Sequence, residues 1–279
     1  MPYLAPTSLA DALSRLSEDN FKIVAGCTDY FPGRTPGPTA NNLLDLTRLE
    51  GLRGITATEG FWRIGAATTW SELVETPLPG LLDALKQAAV EVGSVQIQNR
   101  GTIGGNICNA SPAADGVPPL LAMNAEVEIA SVTRTRQVPL QNFITGVRQI
   151  DLLPGEMVTA IYIPDPGCEM RSAFLKLGSR THLVISIAMA AAVCCVENGK
   201  ISAIRISVGS CAPVAQRLPA LEAYLAGRKV AGLTDRDFVQ PEWYAPLSPL
   251  TDIRGSAGYR NEAAIELCRR VVLNACAGT

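Results

Sequence analysis

Hydrophobic residues in the first half of the chain alternate between the spacing of helices and that of strands. Apolar positions recur every three or four residues over 9–16, which predicts an amphipathic helix capped by Thr7 or Ser8. The same spacing over 81–92 predicts a second helix. Short apolar runs typical of strands occupy residues 21–25, 43–46 and 62–66. Helices and strands mixed in this way indicate an α+β unit.

The second half begins with further strands and then changes character at a proline-rich break. Strand patterns cover residues 125–130 and 158–163, and Pro-Asp-Pro-Gly interrupts the chain at 164–167. Beyond the break, strands are predicted at residues 172–177, 184–196 and 201–208, the last two joined by an Asn-Gly hairpin turn. Helices follow at residues 219–226 and 263–276. We therefore predict an α+β domain over 1–168 and a smaller domain over 169–279, with a three-stranded antiparallel sheet and helices.

Composition and charge narrow the class of protein. The 279 residues are 47% hydrophobic and 18% charged, with a formal net charge of −2, as expected for a globular protein. No basic stripe with interleaved aromatic residues is present, so we expect no nucleic-acid partner. The longest apolar run, 183–196, is too short for a membrane helix, and residues 1–4 lack the basic region of a secretory signal. We expect a cytoplasmic protein without a membrane span.

Residue types with catalytic or metal-binding chemistry are sparse. Eight cysteines are scattered without a C-x-x-C pair, which predicts reduced thiols rather than a zinc or iron–sulfur site. His182 is the only histidine, so a histidine-based nucleophilic or metal centre would have to be built around this one residue. Neither G-x-G-x-x-G after a strand nor G-x-x-x-x-G-K-[ST] is present. We expect no metal and no catalytic side chain here, with the chemistry supplied by a bound cofactor.

Two segments rich in small residues stand out as candidate ligand sites. A-G-C-T-D at 25–29 follows a predicted strand, and G-T-I-G-G-N at 101–106 follows a predicted helix. Tight turns of small residues direct several backbone N–H groups into one concavity, which suits a phosphate or pyrophosphate. Side chains that could add hydrogen bonds are Thr28, Thr102, Asn106 and, for sugar hydroxyls, Asp115. Two ordinary tight turns remain the alternative at this point.

Longer motifs around these segments resemble one protein family. K-I-V-A-G-C-T-D at 22–29 is similar to the first FAD loop of the FAD-binding medium subunits of the molybdenum hydroxylases, the family of xanthine dehydrogenase and aerobic carbon monoxide dehydrogenase. G-T-I-G-G-N-I-C-N-A-S-P-A-A-D at 101–115 resembles the second loop and is the more specific motif. Three weaker stretches resemble the family in the right order, at 143–164, 173–180 and 252–260. The resemblance therefore covers nearly the whole chain.

The resemblance implies a fold and a cofactor site. The fold would be α+β, with an FAD-binding domain of the vanillyl-alcohol-oxidase/PCMH type followed by a carbon monoxide dehydrogenase flavoprotein-like C-terminal domain. FAD is expected to lie against the glycines of 101–105, with its pyrophosphate shared between the two loops. The residues implied to bind FAD are Lys22, Ile23, Val24, Ala25, Gly26, Cys27, Thr28, Asp29, Tyr30, Thr102, Gly104, Gly105, Asn106, Cys108, Asp115 and Lys176.

A function and partners follow from the same resemblance. The chain is expected to be an oxidoreductase subunit that passes electrons from [2Fe–2S] clusters through FAD to NAD⁺, O₂ or another acceptor. A large molybdopterin-binding subunit and a small iron–sulfur subunit are the implied partners, in a dimer of heterotrimers. Two alternatives stay open: a stand-alone FAD-dependent oxidoreductase of the same fold, and a non-enzymatic scaffold subunit that has lost FAD.

Two positions depart from the family's pattern. Cys27 stands where the family usually has a second glycine, and a positive φ at this position would cost about 1 kcal/mol or more. Ser186 stands where many relatives carry an acidic residue near the flavin ring. The structure therefore has to show which backbone conformation Cys27 adopts and which groups Ser186 contacts.

Overall fold

Strands and helices alternate through most of the chain in the computed structural model, which describes residues 3–33 and 42–277. The strands of this part are β1 (Tyr3–Leu4), β2 (Phe21–Val24), β3 (Asn42–Asp45), β4 (Ile55–Thr58), β5 (Phe61–Gly65), β6 (Glu126–Ala130), β7 (Thr135–Pro139), β8 (Ile144–Gly146), β9 (Gln149–Ile150), β10 (Met157–Pro164), β11 (Met170–Leu177), β12 (Ala188–Glu197), β13 (Lys200–Gly209) and β14 (Gln216–Arg217). The helices are α1 (Leu9–Glu18), α2 (Trp70–Glu75), α3 (Asp83–Glu91), α4 (Val95–Gln98), α5 (Ile103–Asn109), α6 (Val117–Ala122), α7 (Leu140–Phe143), α8 (Pro219–Leu225) and α9 (Ala257–Ala277). Short 3₁₀ helices occur at Gly80–Leu82, Val230–Gly232, Asp235–Phe238 and Pro241–Tyr244.

A small parallel sheet opens the first domain, in the order β1-β3-β2. α1 connects β1 to β2 and buries Ala12, Leu13 and Leu16. Ser8 is its N-cap, because the Ser8 hydroxyl accepts a hydrogen bond from the N–H of Asp11 at 3.3 Å. The loop after β2 leaves from the carboxyl edge of this sheet, which is where parallel sheets commonly present ligand sites.

A five-stranded antiparallel sheet forms the other half of this domain, in the order β4-β5-β10-β6-β7. β10 lies at its centre, paired with β5 on one side and β6 on the other, which explains its continuous apolar run. The edge strands β4 and β7 are short and largely half-buried or exposed. The sequence analysis does not predict these two strands, because their polar positions outweigh the apolar pattern.

The C-terminal sheet is buried on both faces, in the order β11-β12-β13-β14. Odd-numbered positions 189–195 of β12 join the core of the first domain. Even-numbered positions 188–194 pack in a second core together with α8 and α9. Burial on both faces explains why β12 is an unbroken run of small and apolar residues. This sheet therefore joins the two domains.

The predicted strands of the C-terminal sheet differ from the observed ones in two respects. The strand predicted at 184–196 begins only at Ala188, because Leu183 has a positive φ of 55° and residues 178–187 form a loop. The predicted three-stranded sheet has a fourth strand, β14, which is two residues long and too short to show a periodic pattern. The Asn-Gly hairpin between β12 and β13 is confirmed, with both turn residues at positive φ.

The last helix is longer than predicted. It begins at Ala257 rather than at residue 263, because the end of the 252–260 motif is already helical. Across residues 3–33 and 42–277, no helix combines the length and the apolar character that crossing a bilayer requires.

Candidate cofactor-binding cleft

Two loops from separate parts of the first domain meet beside one cleft. Loop 25–30 follows β2, and loop 99–102 joins α4 to α5. A Cβ built on Gly26 would lie 1.9 Å from the carbonyl oxygen of Arg100, so the two loops are in direct backbone contact. Residues of both loops line a cleft with a volume of about 1450 Å³. The structure therefore brings together the two segments that the sequence analysis identifies.

The glycines of the second segment differ in what surrounds them. A side chain on Gly104 would come within 2.6 Å of the Ala66 carbonyl oxygen, and one on Gly101 would meet the backbone of α4 at 3.0 Å. Apart from the backbone of its own helix, the one neighbour within 4 Å of a Cβ on Gly105 among residues 3–33 and 42–277 would be the Thr102 hydroxyl, at 2.8 Å. Close packing within the protein thus explains why Gly101 and Gly104 lack side chains. Packing is therefore a reason for glycine at 101 and 104 that the sequence does not reveal, and the contact of residues 101–105 with the cofactor stays a prediction.

Most backbone N–H groups of the second segment already donate hydrogen bonds inside the protein. Thr102 caps α5, and its hydroxyl accepts from the N–H of Gly105 at 3.0 Å. The N–H groups of residues 103 and 104 donate to carbonyl oxygens of the chain just before α2, at 3.0 and 2.9 Å. Segment 101–106 is therefore the capped start of a helix. The prediction of an open turn with free N–H groups is wrong for this segment.

The first loop has the free N–H groups that the second lacks. Within residues 3–33 and 42–277, the N–H groups of Gly26, Cys27 and Thr28 donate no hydrogen bond. Cys27 has φ = +61°, the left-handed conformation that its family position suggests. Consecutive unpaired N–H groups around a left-handed residue form a concavity that binds anions. This loop is the stronger candidate for a phosphate site.

Two cationic side chains lie close to the cysteines of the cleft. Burial and the Asp45 carboxylate raise the pKa of the Cys27 thiol, and the nearby Arg100 guanidinium opposes this rise. Burial raises the pKa of Cys108 to about 12, and the Lys22 ammonium opposes that rise. An anionic ligand would therefore meet the positive charge of Lys22, which lies in β2 and lines the cleft, with Arg100 of loop 99–102 nearby. The sequence analysis misses Arg100, which lies just outside the glycine-rich motif.

Asn106 contributes an unpartnered polar atom beside the cleft. Its Oδ1 is buried and accepts no hydrogen bond from the part of the chain that the structure describes. A side chain on Gly116 would lie 2.9 Å from this oxygen and 2.6 Å from the Trp70 ring, so close packing explains the glycine at 116. An unsatisfied buried acceptor costs about 1–3 kcal/mol, and a donor from a bound ligand would remove that cost.

Asp115 forms a buried charged cluster where the cleft meets the C-terminal domain. Its carboxylate accepts from the Lys176 ammonium at 2.9 Å and from the Ser186 hydroxyl at 2.6 Å. Lys176 also donates to the Glu91 carbonyl oxygen at 3.2 Å. Burial raises the pKa of Asp115, and the Lys176 charge opposes this rise. Both carboxylate oxygens are thus engaged within the protein, and Ser186 is a buried partner of Asp115.

Loop 178–187 borders the cleft with apolar side chains. Leu183 and Ile185 line the cleft and are 54% and 53% exposed. Arg180 fixes the loop by donating to the carbonyl oxygens of His182, at 3.0 Å, and Leu183. The His182 side chain is largely exposed. Because the sequence analysis assigns the apolar residues of this loop to a strand, it misses them as part of the cleft.

Arg260, in the 252–260 motif, contacts the end of loop 178–187. The guanidinium donates to the carbonyl oxygens of Ile187 and Ser210, the latter at 3.1 Å, and to the Asp252 carboxylate at 2.8 Å. Arg260 itself is buried. The motif that resembles the family late in the chain therefore holds together three loops of the C-terminal domain, one of which borders the cleft.

All sixteen residues implied by the family resemblance line this one cleft. Other lining residues that the sequence analysis does not name are Gly93, Ser94, Ile97, Ser111, Arg148, Leu152, Leu153, Gly155, Glu156 and Val184. Ser111 lies within the 101–115 motif, and the residues between 148 and 156 lie within the 143–164 stretch. Gly93, Ser94, Ile97 and Val184 lie outside the quoted motifs and reach the cleft only in the folded chain.

Comparison with known proteins places the chain in a family. Residues 1–166 match the profile described as the FAD binding domain in molybdopterin dehydrogenase. Residues 173–275 match the CO dehydrogenase flavoprotein C-terminal domain. The chain belongs to the FAD-binding medium subunits of the molybdenum hydroxylases. This family consists of oxidoreductase flavoproteins, as the resemblance implies.

Medium subunits of known enzymes align with nearly the whole chain. A putative xanthine dehydrogenase FAD-binding subunit of Escherichia coli (strain K12) is 32% identical over 280 residues, covering 99% of this chain and 96% of its own. The nicotine 6-hydroxylase medium subunit of Paenarthrobacter nicotinovorans is 31% identical, covering 99% and 98%. A chain in the structure of reconstituted CO dehydrogenase from Oligotropha carboxidovorans superposes with a TM-score of 0.91 at 27% identity, covering 100% of this chain and 98% of that one. The predicted α+β two-domain fold is confirmed.

Proposed function

We propose that this medium subunit holds FAD in the cleft between its two loops, through the sixteen residues named above. The observation that carries the proposal is the convergence of all of them on one cleft, next to three unpaired N–H groups and an unpartnered Asn106 oxygen. The volume of about 1450 Å³ exceeds that of an ordinary small-molecule pocket and gives room for a dinucleotide.

The pyrophosphate is assigned to the first loop. The N–H groups of residues 26–28 supply hydrogen-bond donors, Lys22 supplies positive charge in the cleft lining, and Arg100 partly offsets the Asp45 carboxylate beside Cys27. The second segment supports this loop by backbone contact at Gly26 and offers the open face of Gly105 and the Asn106 amide to the cofactor.

The cluster around Asp115 is assigned to the part of the cleft that adjoins the C-terminal domain. The carboxylate holds the Lys176 ammonium in the lining of the cleft, where it would face the cofactor as part of an ion pair. Because both oxygens of Asp115 are engaged, its proposed sugar contact is secondary to this anchoring role. The chain's own residues thus bind, orient and electrostatically bias the cofactor.

In the proposed complex, FAD supplies the electron-transfer chemistry and this chain supplies its binding site. Partner subunits would carry the molybdopterin and the [2Fe–2S] clusters, and the assembly would be a dimer of heterotrimers in the cytoplasm. Electrons would leave to NAD⁺, O₂ or another acceptor. We further propose that residues 1–168 form the FAD domain and residues 169–279 the second domain. Support comes from relatives named as medium chains, among them the carbon monoxide dehydrogenase medium chain of Hydrogenophaga pseudoflava.

Anaerobic spectroscopy of the purified protein tests this function. The chain is isolated alone and with its large and small subunits, and each sample is desalted and examined for flavin absorption. Xanthine, nicotine and carbon monoxide, taken from the names of relatives, serve as the first electron donors. We expect flavin in both samples and bleaching of the flavin bands only in the complex. Reoxidation by NAD⁺ and by O₂ is then compared to identify the acceptor.

The alternatives give different outcomes. Bleaching of the isolated chain by its own substrate would indicate a stand-alone flavoenzyme. Failure of both samples to retain flavin would indicate a scaffold subunit that has lost FAD, and would overturn the proposed function.

A further inference from the structure

Two thiols from opposite ends of the C-terminal domain are in contact. The Sγ atoms of Cys194 and Cys276 are 3.1 Å apart, although 82 positions separate the residues in the chain. Cys194 lies in β12, and Cys276 lies in the last turn of α9. Both cysteines are free thiols in this structure. This contact lies outside the cofactor cleft and has no role in the proposed function.

Packing holds the two sulfur atoms in place. Cys194 is on the face of β12 that packs against α9, and α9 buries Cys268, Val272 and Ala275 in the same core. A disulfide requires two cysteines whose side chains approach without a backbone shift, and here a strand and a helix supply that approach. The neighbouring Cys195 belongs to the core on the opposite face of β12, so it is not an alternative partner.

The two thiols differ in access and acidity. Cys194 is 1% exposed, whereas Cys276 is half-buried and reachable from solvent. The contact with Cys276 raises the pKa of Cys194, and the same contact lowers the pKa of Cys276. Because the thiolate is the attacking species in thiol–disulfide exchange, the accessible and more acidic Cys276 is suited to attack first.

We propose that Cys194 and Cys276 form a reversible disulfide through exchange with a low-molecular-weight disulfide such as oxidised glutathione. The Cys276 thiolate attacks one glutathione sulfur, which forms a mixed disulfide and releases one glutathione thiolate. The Cys194 thiol then loses its proton and displaces the second glutathione from Cys276. Two protein thiols are oxidised to one disulfide, and one oxidised glutathione is reduced to two molecules of glutathione.

The bond would fasten the end of α9 to the centre of the C-terminal sheet. It would close the loop from 194 to 276, which contains β13, β14 and α8. Closing so long a loop restricts the unfolded chain, so the oxidised protein is expected to melt roughly 5–10 °C above the reduced one. Cys211 and Cys268 lie in the same core and are both fully buried, so neither offers an accessible thiolate for the first attack.

Redox titration of the full chain tests this proposal. The native protein is equilibrated with glutathione buffers of rising oxidised-to-reduced ratio, alkylated, digested without reduction and analysed by mass spectrometry. We expect a linked peptide pair joining 194 and 276 that is two hydrogen atoms lighter than the separate peptides and disappears on reduction. Cys195→Ala and Cys168→Ser are the matched controls and should keep the link, together with the rise in melting temperature.

The single variants report on the order of events. Cys276→Ser should lose both the link and the redox dependence of the melting temperature, whereas Cys194→Ser should stop at a mixed disulfide between Cys276 and glutathione. Absence of the link across all ratios, or its appearance only after urea unfolds the chain, would overturn the proposal. Persistence of the redox-dependent rise in melting temperature in Cys276→Ser would assign the effect to another pair of thiols and overturn the proposal equally.

Discussion

At the scale of single residues, Cys27 determines the form of the first loop. Its φ of +61° lies in the left-handed region, which a glycine adopts at no steric cost. The family motif predicts a glycine-like conformation here, and the structure shows that the cysteine adopts it. The motif already names Asn106 as a candidate ligand residue, but the unpaired state of its buried oxygen and the position of Arg100 near Cys27 become visible only through tertiary contacts.

We predict that Cys27→Gly stabilises the protein by about 0.5–1 kcal/mol, because relief of left-handed strain outweighs the extra freedom that glycine adds to the unfolded chain. Urea unfolding of the cofactor-free chain measures the change. Cys168→Gly is the matched control, since Cys168 is exposed and is not among the described residues with positive φ. The control should show no stabilisation, and equal changes in the two variants would contradict the strain argument.

At the scale of elements, the two adjacent glycines of α5 have different roles, one in packing and one at the cleft. Gly104 faces the backbone at Ala66, whereas Gly105 has open space beyond the Thr102 hydroxyl. The sequence predicts a ligand site at this segment because its glycines and polar residues are local features, and the structure places the segment at the cleft. It does not reveal the helix, because three glycines suggest a turn, and the carbonyls that satisfy its first N–H groups lie in the chain before α2.

Alanine at the two adjacent glycines should separate these roles. Gly104→Ala is expected to destabilise the fold by about 2 kcal/mol or more, because the new Cβ would meet a carbonyl oxygen that cannot move aside. Gly105→Ala is expected to cost at most about 1 kcal/mol, because only a side-chain hydroxyl has to adjust. Thermal unfolding of the cofactor-free variants measures both. A larger loss in Gly105→Ala than in Gly104→Ala would contradict the assignment.

At the scale of the whole molecule, the two domains share the cleft through buried polar contacts. Lys176 of β11 pairs with Asp115 of the first domain, and Ser186 of loop 178–187 joins them. The sequence predicts a two-domain α+β protein, since the break at 164–167 and the change in periodicity are visible in it. It does not predict this charged cluster, because its members lie 61 and 71 positions apart and meet only after the domains pack.

Removal of the cation should make stability strongly dependent on pH. In Lys176→Met, Asp115 stays buried without its partner, so its folded-state pKa rises further above its unfolded value. A raised carboxyl pKa means that the folded state binds a proton more readily, so the loss of stability grows as pH rises. We expect a loss of about 3 kcal/mol near pH 7.5 and a smaller one near pH 5.

The double variant Lys176→Met/Asp115→Asn is the control for this pH dependence. It removes both charges, so the change in its free energy of unfolding between the two pH values should equal the change in the wild type. A loss in Lys176→Met that is the same at both values would show that Asp115 does not carry the effect.

Binding of FAD by variants of Gly105 tests the central claim most directly. Dissociation constants are measured by flavin fluorescence for the wild type, Gly105→Val and Gly258→Val, the last being a matched exposed helical glycine in α9 with nothing near its Cβ. Circular dichroism confirms that each variant is folded. We predict that Gly105→Val weakens FAD binding at least about tenfold, a change of roughly 1.4 kcal/mol, while Gly258→Val binds as the wild type does. A folded Gly105→Val that binds FAD with wild-type affinity would contradict the assignment of the cofactor to this cleft.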